Sequence, residues 1–184
     1  MTKTQNSTEL FEIIGKDPLS WLTQAKEMKM VADLILPVLQ NEFSFPPTFP
    51  GTQGKRLAYI GSYFLFLGLA FENLIKGILI GRDPTLVTKD TINNGILGRK
   101  GHGITEGAKR IINLTQQELE LVGRIEEYLF WAGRYPLPLH LNIFLNSESK
   151  KLRSFISNDP LSVEKIFEKL VIVLENERSE TNYP

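Results

Sequence analysis

The chain of 184 residues has no cysteine and only two histidines, His102 and His140. Without cysteine there is no thiolate nucleophile, no disulfide framework and no thiolate zinc site. Two histidines cannot make a three-histidine zinc centre, so any metal would have to be a hard ion held by carboxylates. Neither a metal nor another cofactor is expected. A surplus of charge is missing too: 21 acidic residues balance 21 basic ones. The field of the whole molecule therefore draws it neither to nucleic acid nor to anionic lipid, and such binding needs a local patch. Residues 1–17 contain no apolar run of signal-peptide length, which points to a cytoplasmic protein. The most apolar stretch, Leu57 to Phe71, falls short of the roughly 20 residues that span a bilayer, and Glu72, Asn73 and Lys76 follow it. It reads as a buried core helix, with no membrane partner.

Alternating β-branched runs and internal repeats are also lacking, whereas helical periodicity is abundant. Asp17-Pro18 is a helix-start signature, because the carboxylate accepts orphan N–H groups and proline fills the first turn without loss. The apolar positions Leu22, Ala25, Met28, Ala32 and Ile35 predict a first helix, which Pro37 should kink or end near Leu36. Ser44 to Gly54, with three prolines and two glycines, reads as a loop. A second helix is predicted from about Arg56 to Ile80. Its Gly61, Gly68 and Gly77 each weaken a helix by about 1 kcal/mol unless close packing requires them. Residues 81–101 read as an irregular connection.

A third helix is predicted to start near His102, burying Ile104, Ala108, Ile111 and Ile112. Thr115 and Glu118 form a capping box that starts a fourth helix, running to about Ala132 and stopped by Pro136 and Pro138. Asp159-Pro160 opens a last helix that frays after Asn176. The expected fold is all-α, an up-and-down bundle of four to five main helices with two long irregular connections. One domain over 17–178 is expected, between a flexible segment 1–16 and a frayed tail 179–184.

Three groups of residues could carry chemistry. Glu72 and Lys76, four apart, should pair; the plain reading is an ion pair at the end of a core helix. His102 and Glu106 share that spacing, so the carboxylate could orient the ring for proton transfer or simply solvate a helix start. With Arg99, Lys100, Lys109 and Arg110 they make the best candidate patch for a phosphate. Glu120, Arg124, Glu127 and Trp131 share one stripe. At its end Trp131, Arg134 and Tyr135 bring together stacking surface, a planar donor fork and a hydroxyl. The structural alternative is an arginine capping the last carbonyls while aromatics cover the bundle end.

The segment Ala-Phe-Glu72-Asn73-Leu-Ile-Lys76-Gly77, then a helix opening with His102, then Arg134-Tyr135-Pro136, resembles the HEPN superfamily of prokaryotic helical domains. The likeness spans roughly residues 56–138. It implies a dimeric bundle of four or five helices, often acting beside a nucleotidyltransferase in toxin–antitoxin or phage-defence systems. Some members are metal-independent ribonucleases carrying an arginine, four to six residues and a histidine, a spacing that Arg134 and His140 meet. Here Pro136 and Pro138 interrupt the helix that would present the pair, and Gly103 follows His102 where relatives have aspartate. Two functions follow from the resemblance. One is a non-catalytic dimeric module that binds a partner protein, a nucleotide or RNA; the other is a ribonuclease using His102 or His140 with Arg134.

Overall fold

The computed structural model describes residues 3–44, 52–98, 101–135, 140–149 and 154–180. Arg99, Lys100, Pro136, Pro138 and residues 45–51 and 181–184, with the expectations placed on them, lie outside the described residues. The protein is all-helical: α1 Lys3–Lys16, α2 Pro18–Ser44, α3 Thr52–Arg82, α4 Ile104–Ile111, α5 Gln116–Glu127, α6 Leu141–Ser149 and α7 Asp159–Glu180. Short 3-10 turns, Pro84–Leu86 and Asn94–Leu97, lie between α3 and α4, and a π-helical turn, Tyr128–Ala132, extends α5. Among the described residues the β-structure is one isolated bridge, Val87 to Ile92.

The core is built on α3, where Tyr63, Phe64, Leu67, Phe71, Leu74, Ile75 and Ile78 are fully buried. This helix packs against α2, α4, α5 and α7. By length and composition its Lys55–Arg82 portion would also suffice to cross a bilayer, but 61% of the most apolar window is buried within the protein. The glycines let neighbours approach. A Cβ on Gly68 would lie 2.8 Å from Leu129 Cβ, and one on Gly77 would lie 2.7 Å from both Trp21 Cβ and Leu174 Cδ1. Gly61 is less crowded, with Tyr128 4.0 Å away. Ile125 and Leu129 meet α3 at Gly68 and Gly133 meets it at Gly61 and Leu65, so α5 runs opposite to α3.

Several expected boundaries change. The segment 1–16, expected to be flexible, contains α1, whose Gly15 carbonyl accepts from Trp21 Nε1 at 2.7 Å. Pro37 does not end the helix near Leu36. It sits exposed inside α2, and packing beyond it, with Leu39 fully buried and Phe43 stacked 5.4 Å from Phe155, carries the helix on. The second connection contains α6, and α7 continues past Asn176 to Glu180. The start signals themselves hold. Asp17 accepts from Leu19 N and Ser20 N at 3.0 Å each, and the Thr115–Glu118 box has both of its bonds, 3.2 and 2.8 Å.

Candidate functional site

Glu72 is a carboxylate at the middle of a core helix, only 8% exposed, where an unpaired charge would be costly. It is held from two directions. Lys76, one turn along α3, approaches Oε1 at 2.5 Å as its spacing requires. His102, thirty residues later in the turn before α4, places Nδ1 2.8 Å from Oε2. The lysine and histidine side chains keep 15% and 30% of their surface open to solvent, so two nitrogen-bearing groups converge on one shielded carboxylate at the surface. Among the described residues His102 Nε2 has no hydrogen-bond partner. With Nδ1 oriented by the carboxylate, Nε2 is the nitrogen left to exchange a proton or donate to an anion.

The third helix begins at Ile104, close to the expected start near His102, with Gly103 as its N-cap. The partner of His102 differs from the one its spacing suggested. Glu106 pairs with Lys109 at 2.6 Å, while His102 turns to Glu72 instead. Lys109 and Arg110 lie exposed in the last turn of α4. The start of that helix is completed by a residue that no local motif marks: Glu126 Oε2, from α5, accepts from Thr105 N at 2.7 Å. A carboxylate there satisfies an orphan N–H and complements the helix dipole.

Asn73, the next residue on α3, donates from Nδ2 to Leu69 O at 2.7 Å. It lines a cleft of about 270 Å3 whose other walls are Phe11, Ile14 and Gly15 of α1, Ser20, Trp21 and Gln24 of α2, and Ile92. The cleft rests on features already described. The Trp21 bond to Gly15 fixes α1 on α2, and the Val87 to Ile92 bridge brings the loop after α3 alongside.

The residues at the end of α5 are arranged differently. Trp131 is buried at 3% exposure and its Nε1 donates to Glu127, itself buried. Arg134 caps the helix by donating to Phe130 O at 2.7 Å and lies 5.6 Å over the Tyr135 ring. Of the three, Arg134 and Tyr135 are exposed. The stripe of α5 is structural elsewhere as well: Arg124, 7% exposed, pairs with Asp159 at the start of α7. Burial pushes the Asp159 carboxyl above its ordinary range, with the Ile156 N–H and the Arg124 guanidinium pulling it back. His140 is exposed at the turn preceding α6.

Gly133 touches α3 at Gly61, eleven residues before Glu72, which separates Arg134 from the Glu72 cluster by about 16 Å along the helix axis. The structure thus joins Glu72, Lys76 and His102, sets Asn73 beside them, and keeps Arg134 about three turns of α3 away. No group of acids and histidines among the described residues is arranged to hold a metal ion. No family model, no curated protein and no solved structure matches this chain.

Proposed function

We propose that the protein is a cytoplasmic, HEPN-like up-and-down bundle of four to five main helices that acts as a non-catalytic dimeric module, binding the phosphate of a nucleotide or RNA. The observation that carries this reading is the bridging of Glu72 by Lys76 and His102 from separate elements. A carboxylate shared by an ammonium and an imidazole orients both, and a bound phosphate would add a second anion for the two donors to share. Protonated His102 would leave the trio with one net positive charge, and Lys109 and Arg110 lie on the helix that His102 precedes. Dimer formation is supported by Met30, Leu34 and Val38, an exposed apolar stripe at four-residue spacing on α2.

The non-catalytic part of this reading rests on the distance between Arg134 and His102. Cleaving RNA without metal needs a proton acceptor and a cation at one phosphate. Arg134 is spent on a helix carbonyl and stands about 16 Å along α3 from His102's partner. A filter-binding assay with pooled RNA tests the reading. Retention without cleavage is expected, and Lys76→Met and His102→Ala should each weaken it about tenfold with unchanged circular dichroism. Binding that survives both substitutions discards it. Cleavage that stops in Arg134→Ala or His140→Ala would put the ribonuclease in its place. Light scattering that reports a strict monomer removes the dimer.

A further inference from the structure

The cleft beside Asn73 has a composition that the phosphate-binding reading does not use. Its walls are mainly apolar: the indole of Trp21, the ring of Phe11, and Ile14 and Ile92. Its volume, about 270 Å3, lies just under the roughly 300–1,000 Å3 usual for small-molecule pockets, which suits one ring system with a sugar rather than a chain of nucleotides. The polar atoms around it are mostly committed. The Ser20 hydroxyl donates to Asp17 at 2.8 Å, Trp21 Nε1 to Gly15 O at 2.7 Å, and Asn73 Nδ2 to Leu69 O at 2.7 Å. Asn73 Oδ1 and the Gln24 carboxamide have no partner among the described residues. A mainly apolar cleft with one spare acceptor and one spare carboxamide is the complement of a ring carrying an amino donor beside an acceptor nitrogen. Adenine presents that pair at N6 and N7, and a carboxamide meets both at once.

The slot also adjoins the charged cluster. Asn73 and Lys76 are three apart on α3 and hence neighbours on its surface, and Trp21 packs over Gly77, next to Lys76 in the chain. A ligand whose ring occupies the slot can therefore extend a sugar-linked phosphate toward Lys76 and His102. We propose that the α1–α2–α3 cleft takes the base of an adenine mononucleotide, with Gln24 and Asn73 reading its amino edge and Lys76 with His102 receiving its phosphate. This rests on the phosphate-binding reading and adds the recognition of the base.

Calorimetric titration of the full chain with AMP, IMP and ribose 5-phosphate separates the two. IMP replaces the amino group by a carbonyl oxygen, and ribose 5-phosphate has no base at all. AMP should bind at least tenfold more tightly than either. Asn73→Ala and Gln24→Ala should each reduce that preference severalfold while leaving the affinity for ribose 5-phosphate unchanged. Equal binding of all three probes, each weakened by Lys76→Met, overturns the base site and leaves the phosphate reading standing. No binding of any probe overturns both. The comparison of probes is made on the unaltered protein, so it stands even where a variant fails to fold.

Discussion

Adding the same methyl group at two helical glycines should move stability in opposite directions. Alanine is favoured over glycine in a helix interior by about 1 kcal/mol, a gain available at both Gly77 in α3 and Gly123 in α5. At Gly123 a Cβ meets nothing within 4 Å, so Gly123→Ala should stabilise by nearly the full amount. At Gly77 the new carbon would lie 2.7 Å from Trp21 Cβ and 2.7 Å from Leu174 Cδ1, against about 3.5–4.0 Å for comfortable carbon contact. The leucine methyl can swing aside. The tryptophan Cβ cannot, being bonded directly to the α2 backbone while its indole is tied to Gly15 O.

Overpacking of this kind costs about 1–3 kcal/mol, and two clashes put Gly77→Ala toward the upper end. After the propensity gain the net loss is about 1–2 kcal/mol. The two variants should then differ by about 2–3 kcal/mol, which for a chain of this length corresponds to roughly 5–10 °C in Tm. Thermal unfolding followed by circular dichroism at one protein concentration measures the gap. If Gly77→Ala melts with or above Gly123→Ala, the close approach of α2 and α7 to α3 is wrong.

Two further outcomes follow from buried charges. Asp159→Asn removes the counter-charge of Arg124, which is 7% exposed and whose Nε already lacks a partner, so urea denaturation should show a loss of about 3 kcal/mol; a loss under about 0.5 kcal/mol would mean that the guanidinium is hydrated there. Burial pushes the Glu118 carboxyl up, but Lys169 and the Thr115 cap outweigh it and hold the folded-state pKa below the ordinary value. A depressed folded pKa contributes stability that is present above about pH 4.5 and lost as pH falls through the folded value. Glu118→Gln should therefore flatten the stability profile below that pH, and an unchanged acid limb would count against the Lys169 and Thr115 contacts.

What the sequence revealed was chiefly local. Asp17, the Thr115–Glu118 box and the Glu72–Lys76 pair each depend on residues within one turn, and each occurs with the expected partners. His102 shows the limit. Its spacing to Glu106 suggested a partner, but the turn at Gly103 keeps it out of the helix, and the carboxylate it finds comes from α3. Helix packing determines that contact, and no short window of sequence contains it. The same holds for Glu126 at the start of α4 and for the cleft, whose walls come from four separate segments. Helix α1 was missed although Leu10, Phe11, Ile13 and Ile14 recur at helical spacing; in the structure they stay largely exposed. Pro37 misled through a penalty of about 3 kcal/mol, real in isolation but smaller than what the continuing α2 gains against its neighbours.

The widened turn at Tyr128–Ala132 bears on how such chains are compared. Gly133 N bonds to Tyr128 O, five residues back, so the coil holds one residue more than a regular turn and everything beyond it is rotated by about 100°. Counting letters from Arg124 therefore misjudges the direction in which Arg134 projects. Deleting a single residue there would restore the regular coil and swing the arginine to another side of the rod. A separation such as Arg124 to Arg134 thus records order along the thread, while the side of the rod each faces depends on a change of phase that the letters do not display.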